Sequence, residues 1–417
     1  MAIKPASGPT PLGASTSATS PSPSTHTLSF PAQTFAKLAP IPFLHAHLTS
    51  STGARRPSGR TPSESRPPNI HTGSLTHTSG SAVVRIGDTA VVCGIRGEIL
   101  LTKDVADWKH PEISSIPQEE NDGTRRKRRK TEADEIARLN LLVPNVELST
   151  GCSPAHLPGS PPSDLAQTLS HRVLTLLHTS QLLEAAELRI WHHPSSSSSS
   201  SILKPQITEP LSTSSNPNNP TITTVEGFEG GGTGDTDGAL VAKPQIKAYW
   251  TLHITLLFLS LDGNPFDAAW CALLAALLDV RLPRAWWDAD LENVLCSPLV
   301  SESTRFSLNG LPVPLTVGVF SREDEQGIGG ETEKKRAKWC LVDMDGFEEG
   351  CVRETVCLVV KGEGDSAEIV RIEKGGGGLF GRGEMRELVG AAGRRWREWK
   401  ALLDGIRGDG SGDTDMG

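Results

Sequence analysis

Along residues 250–260 apolar and polar side chains alternate with a period of two, so that Trp250, Leu252, Ile254, Leu256 and Phe258 share one face. The alternation predicts a buried strand. Asp262, Gly263 and Asn264 then form a tight turn, Pro265 presets φ for a helix start, and 266–278 is almost wholly apolar. That run predicts a buried helix. Strand, glycine turn and helix make one packing unit that sets the free amides of a helix N-terminus beside a sheet. Such an arrangement binds phosphate when the turn residues allow it.

The same patterning places the other elements. Residues 28–43, with Phe30, Phe35 and Leu38 spaced along them, predict a short docking helix ended by Pro40 and Pro42. Strand-like runs at 73–86 and 89–101 meet at Gly87 and Asp88, a two-residue hairpin signal. A strand is expected at 141–148. A helix is expected over 163–186, with Ser163 as N-cap, Asp164 in the first turn, and Leu165, Leu169, Val173, Leu176 and Leu177 inward. Further strands are expected at 311–320, 338–342 and 351–360. Residues 384–403 predict an amphipathic helix with Met385, Leu388, Val389, Ala392, Trp396 and Leu403 inward and Arg394, Arg395, Arg397 and Lys400 mostly outward.

Three stretches break the pattern. Residues 104–139 are polar around the basic run Arg125, Arg126, Lys127, Arg128, Arg129 and Lys130 and are expected as an exposed insertion; 192–243 hold serine, Asn/Pro and glycine tracts that cannot build a core; 321–337 form a charged loop. The tails 1–27 and 404–417 are expected to be disordered, since they carry too little apolar surface to offset the entropy of ordering. The remainder, residues 28–403 less the insertions, reads as a single α+β domain of roughly 250 ordered residues, a size that supports one sizeable core.

Composition narrows this reading. Gly at 41 and Pro at 30 of 417 residues are clustered in a few places, and a net charge of −8 argues against an overall nucleic-acid coat. The seven cysteines form no Cys-x-x-Cys pair, which argues against a disulfide framework or a zinc site and fits a reducing intracellular compartment. No signal peptide is expected at the start and no run approaches the ~18 apolar residues of a membrane span, so a soluble protein with no membrane partner is expected.

Several stretches resemble one family. Residues 73–101, GSLTHTSGSAVVRIGDTAVVCGIRGEIL, resemble the opening hairpin of RNase PH-like proteins. Arg56-Pro57-Ser58-Gly59-Arg60 is similar to their Arg-Pro-Asp-Gly-Arg loop with Asp replaced by Ser. The central strand, turn and helix are similar too, and LVPNVEL at 142–148 with Cys152 narrows the likeness to one type of ring subunit of the eukaryotic RNA exosome. The resemblance implies the RNase PH fold and a place in a hetero-oligomeric six-member ring with a central pore. It also implies partners: other RNase PH-like ring subunits, RNA-binding cap subunits, and RNA itself. A nuclear and nucleolar as well as cytoplasmic location is implied, with a part in RNA degradation and ribosomal RNA processing.

Catalytic members of the family degrade RNA from its 3′ end by phosphorolysis, using a cationic phosphate cradle and carboxylates that hold a divalent metal or handle a proton. Their Gly-Gly-Thr-Arg-Thr cradle falls here on Gly263, Asn264, Pro265, Phe266 and Asp267. Phe266 replaces the clamping arginine, Pro265 removes an amide donor, and Asp267 puts a negative charge in the first helical turn, where it competes with an anion. Their Glu-Asp-x-x-x-Asp-x-Asp-Met run falls on EEGCVRETV, which keeps Glu348 and Glu349 but sets Arg353 and Thr355 where the later aspartates would be. The chain is therefore expected to be non-catalytic, with no metal and no cofactor. An active phosphorolytic exoribonuclease of divergent sequence and a sibling ring subunit are the alternatives.

Other residues are read one by one. Arg55, Arg56, Arg60 and Arg66 suit subunit contacts or phosphate contacts along an RNA path. The basic run at 125–130 suits a solvated tip, a nuclear import signal or RNA contact. Glu348 and Glu349 are expected as surface carboxylates on a turn, Asp343 and Asp345 as turn residues or metal ligands, and Phe266 as a core plug. Cys93 and Cys271 are expected as small core residues, and His253 as a sheet or interface histidine.

Overall fold

The computed structural model describes residues 31–51, 53–106, 108–109, 122–192, 244–322, 337–362, 367–377 and 381–409. The predicted tail 1–27 lies outside the described residues, as do most of the insertion at 192–243, the loop interior 323–336 and the last residues 410–417.

The chain opens with two helices, α1 (Ala32–Leu38) and α2 (Pro40–Leu48). Helix α1 ends just before Pro40 as expected, and Pro40 then opens α2, where a missing N–H costs nothing; Pro42 lies inside α2 rather than ending a helix. Strands β1 (Pro68–Thr72), β2 (Gly80–Ile86) and β3 (Thr89–Leu101) follow, the last two joined by the expected turn at Gly87 and Asp88. Then come helix α3 (Asp122–Arg138), strand β4 (Leu142–Leu148), helices α4 (Asp164–Ser180) and α5 (Ala185–Leu188), strand β5 (Arg189–His192) and the long strand β6 (Gln245–Ser260). Helix α6 (Pro265–Asp279) is followed by short strands β7 (Arg281–Leu282), β8 (Ala285–Asp288), β9 (Asn293–Cys296) and β10 (Thr304–Arg305). The chain ends with β11 (Pro312–Arg322), β12 (Ala337–Val342), α7 (Gly346–Cys351), β13 (Glu354–Lys361), β14 (Glu368–Gly375) and α8 (Arg382–Asp409).

Two sheets carry the fold. In the first, β6 is the spine. It pairs antiparallel with β3 along one edge, while β5 and β4 share the other, antiparallel and parallel respectively; β2 and β1 continue beyond β3. The second is fully antiparallel in the order β12, β11, β13, β14. Helix α6 touches β1, β2 and β3 of the first sheet and β11 of the second, so it is buried from Phe266 through Leu277, which explains why its sequence is apolar all round. Trp270 fixes this contact by donating its indole N–H to the Pro312 carbonyl at 2.7 Å. Helix α8 covers β11 and β13, and α4 packs against β4 and α6.

Several expectations are corrected. The insertion at 104–139 is not merely a loop, because its second half folds as α3 and buries Glu132, Glu135, Ile136 and, just beyond it, Leu139. Glu135 is held there by an ion pair with Arg189 and by the Tyr249 hydroxyl at 2.7 Å. Helix α4 stops at Ser180, where Gln181 adopts a left-handed backbone, and Leu165 faces outward while Ala166 faces in. Its N-cap is as expected, Ser163 accepting from the Ala166 amide. Cys351 ends helix α7 rather than beginning a strand, and β5, β8, β9 and β14 were not anticipated. Helix α8 runs to Asp409, six residues into the expected tail, and it buries Trp399 and Arg395 among its inward residues.

Candidate functional site

The turn between β6 and α6 is built by backbone strain and local hydrogen bonds. Gly263 (φ +71°) and Asn264 (φ +48°) both take left-handed backbone. Thr89 at the start of β3 holds the turn, accepting from the Asp262 amide at 2.8 Å and donating to the Gly263 carbonyl at 3.0 Å. A Cβ on Gly263 would lie 2.5 Å from the Asp345 carbonyl carbon, so the turn is pressed against the segment leading into α7.

That segment, 342–349, supplies carboxylates, and arginines from the loop 55–66 meet them. Arg66 engages Asp343 with both faces of a fork: Nε to Oδ2 at 2.9 Å and Nη2 to Oδ1 at 2.9 Å. Its Nη1 also reaches the Asp262 carbonyl at 2.9 Å. Burial alone would raise the Asp343 carboxyl, but the Arg66 hydrogen bonds, Arg395 and Asn264 outweigh it and hold it at about 2. Arg56 is buried to 1% exposure and donates Nη1 to Glu348 at 3.2 Å, with its Nη2 bound to the Pro62 and Val342 carbonyls. Arg60, partly exposed, donates to the Asp343 carbonyl at 3.0 Å, whereas Arg55 is exposed.

The two glutamates are not surface groups. Glu348 is fully buried in a reciprocal capping box with Asp345 at the start of α7, and burial raises its carboxyl in spite of Arg56. Glu349 is half-buried and accepts from the Asn264 amide at 2.7 Å, so it occupies an amide of the phosphate-type turn. Asp343 serves as a left-handed turn residue (φ +52°) and as an ion-pair partner at once.

Phe266 and Asp267, at the first turn of α6, are both buried, Phe266 to 2% and Asp267 to 0%. Asp267 accepts from the Asn264 side-chain amide at 2.9 Å, the Thr316 amide at 3.1 Å and the Thr316 hydroxyl at 2.7 Å, and faces Arg395 of α8 at 3.4 Å. Over the Phe266 ring lies the guanidinium of Arg172 from α4, 4.0 Å from the centroid, tied by its Nε to Glu373 of β14 at 3.0 Å. Arg353 and Thr355 are exposed at the start of β13.

The structure thus brings the turn at 263–267 together with Glu348, Glu349, Asp343 and the arginine loop. It does not leave all four loop arginines outward. Arg56, Arg60 and Arg66 are consumed by internal carboxylates and carbonyls, the Arg60 side chain being only 13% exposed, and Arg55 alone of the four is exposed. Arg172 and Arg395 were missed. Arg395 stands at helical spacing from Leu388, Ala392 and Trp399, a register that marks it as inward.

Elsewhere, Cys93 and Cys271 are buried, and burial pushes the Cys271 thiol up to about 12. His253 pairs with Glu98 at 3.3 Å on the open face of β6. Among the described residues no group of three or more His, Cys, Asp or Glu side chains is placed to hold a metal ion, and no helix is long and apolar enough to cross a membrane.

Residues 64–283 match the RNase PH family, the 3′ exoribonuclease family, domain 1. The chain is 29% identical over 280 residues to an exosome complex component, rrp43, of Schizosaccharomyces pombe, a span covering 67% of this chain and 72% of that protein. Among solved structures it is similar to a chain of the Archaeoglobus fulgidus exosome with RNA bound to the active site, at a TM-score of 0.50 and 19% identity, over 87% of this chain and 97% of that one. The second likeness is one of fold.

Proposed function

Since the chain belongs to the 3′ exoribonuclease family of RNase PH domains, we propose that it is a non-catalytic ring subunit of an RNA exosome. In this role it shapes the channel that leads RNA to a nuclease on another subunit, in support of RNA degradation and ribosomal RNA processing. One observation carries the reading. The carboxylate of Asp267 sits buried at the first turn of α6, already bound to Asn264, Thr316 and Arg395, where a phosphorolytic enzyme needs an anion to enter.

The neighbouring groups point the same way. Phe266 offers a ring in place of a phosphate clamp, and Glu349 takes the Asn264 amide that an anion would use. A divalent metal fits this site poorly. Glu348 is committed to Arg56 and the α7 cap, while Arg353 and Thr355 stand at the positions where further carboxylates would be required.

A ring member needs surfaces for its neighbours, and α1 supplies one. None of its residues is buried, Phe35 and Leu38 are exposed, Leu38 to 68%, and Ile41 in the first turn of α2 is exposed as well. Partner subunits of the same fold, burying on the order of 1,000 Å² or more, would cover such a patch. Arg55, which remains exposed, serves at those contacts or along the RNA path. RNA-binding cap subunits complete the assembly, and nucleus, nucleolus and cytoplasm are its expected locations.

The test is twofold. Affinity purification from cells should recover other RNase PH-like subunits. Purified chain mixed with single-stranded RNA, phosphate and Mg²⁺ should release no nucleoside diphosphate; release that tracks with this chain through successive purification steps would overturn the proposal.

A further inference from the structure

Away from the turn at α6, helix α3 overhangs a groove of about 1080 Å³ floored by the C-terminal end of α4 and walled by the ends of β13 and β14. Two elements feed cations into it: Lys127, Arg129 and Lys130 come from α3 and Lys361 ends β13, while His178 near the end of α4 is shifted by burial toward its neutral form. Among the described lining residues Asp134 and Glu368 are the only carboxylates, set against Lys127, Arg129, Lys130 and Lys361, so this lining is net positive although the whole chain carries a net charge of −8.

The cations are not spent on one another's counter-charges. Lys127, Lys130 and Lys361 make no ion pair among the described residues. Arg129 donates Nη2 to Asn309 at 2.9 Å, yet its Nε is buried with no hydrogen-bond partner among the described residues, and so is the Nε2 of His178. Lys361 is held below its ordinary value by burial, and Arg129 pushes it the same way against the pull of Glu368. A bare basic helix in solvent would show none of this, because its side chains would point into water and their charges would be screened.

We propose that this groove binds the phosphodiester backbone of single-stranded RNA. The donors are three long, flexible lysines and one arginine on two separate elements that line one open groove, an arrangement suited to an extended polyanion rather than one compact anion. Among the described lining residues there is no Phe, Tyr or Trp, so bases find nothing there to stack on and binding is independent of sequence. The proposal rests on the exosome-ring reading and adds a second RNA contact, on the insertion at 104–139, outside the part of the fold that corresponds to the family's chemistry.

The experiment uses the full chain and a labelled oligouridine of about ten nucleotides, with anisotropy followed across a salt series. Lys127→Glu, Lys130→Glu and Lys361→Glu together should weaken binding at least about tenfold and flatten the slope of log affinity against log salt by roughly 0.7 per lost phosphate contact. Because Lys361 is half-buried, the exposed pair Lys127→Glu with Lys130→Glu is measured as well, and an intermediate loss with unchanged circular dichroism supports the site. Parent chain that fails to bind the RNA, variants that bind as the parent does, or a polyglutamate peptide that outcompetes RNA would each overturn it, the last in favour of an acidic protein partner. Co-purification of ring subunits reads the parent proposal separately. A groove variant that still enters a ring but loses RNA supports the groove, whereas a parent chain that finds no ring partners sinks the ring reading alone.

Discussion

The guanidinium of Arg395 lies 3.4 Å from the carboxylate of Asp267, with 2% and 0% of the two side chains exposed. This pair ties the C-terminal helix α8 to the first turn of α6, elements 128 residues apart in sequence. Two charges taken out of water are tolerable only together, because each alone would keep the full penalty of desolvation.

Removing one partner should therefore cost far more than removing both. Arg395→Met is expected to destabilise the chain by about 3–5 kcal/mol, and the double variant with Asp267→Asn to recover a large part of that loss. Urea unfolding measures both. A single variant within about 1 kcal/mol of the parent would show that Asp267 is neutral in the folded protein and that the pair contributes little.

The Arg66 and Asp343 fork gives a pH signature. Asp343 titrates at about 2 in the folded chain against an ordinary 3.8, so its contribution is complete above about pH 4 and is lost as pH falls toward about 2. The difference corresponds to a term on the order of 2 kcal/mol. Asp267, Glu348 and Glu349 carry the opposite sign, since burial raises their carboxyls and acid relieves them. Comparison with Asp343→Asn isolates the first effect: the parent should be the more stable at pH 6, and the gap should narrow between about pH 4 and pH 2. A gap that is constant through that range would remove Arg66 as the cause.

At Gly263 backbone and contact act together. Its φ of +71° disfavours any side chain, and an added Cβ would meet the Met344 carbonyl oxygen at 2.6 Å and the Gly346 amide nitrogen at 2.8 Å, both main-chain atoms that cannot swing aside. Gly263→Ala should cost more than the ~1 kcal/mol of the conformational term alone, about 2–4 kcal/mol in thermal unfolding. A smaller loss would mean that the α7 segment moves freely away from the turn.

How far these features could be read from residues alone depends on their range. The period-two run ending in Phe258, the turn at Gly263 and the apolar helix after it are local signals with local causes, and they fold as expected. The Ser163 cap and the Gly87 turn are of the same kind. Arg56, Arg66 and Arg395 were expected outward because arginine is seldom buried alone, and their partners Glu348, Asp343 and Asp267 lie between 128 and 292 residues away, beyond any periodicity. The helical half of 104–139 was hidden by its charge, since its burial depends on Glu135 meeting Arg189 and Tyr249 from other strands. Strand β14 was missed because its side chains are largely exposed and carry no clear alternation.

Restoring the residue types of an active cradle should not restore activity. Phe266 fills a buried site beneath Arg172, 4.0 Å from the ring centroid, so Phe266→Arg sets one guanidinium under another while Glu373 is already bound to Arg172 and Asp267 is already held by Arg395. The new charge would have no free partner, and the variant should lose about 2–4 kcal/mol of stability. Adding Arg353→Asp changes an exposed position just before β13 and leaves Glu348 bound to Arg56 and Glu349 bound to the Asn264 amide. The double variant should release no nucleoside diphosphate from RNA in phosphate and Mg²⁺, and phosphate should not raise its melting temperature. Either a phosphate-dependent rise in melting temperature or diphosphate release would show that the buried carboxylates yield to an incoming anion, and the scaffold reading would fall with them.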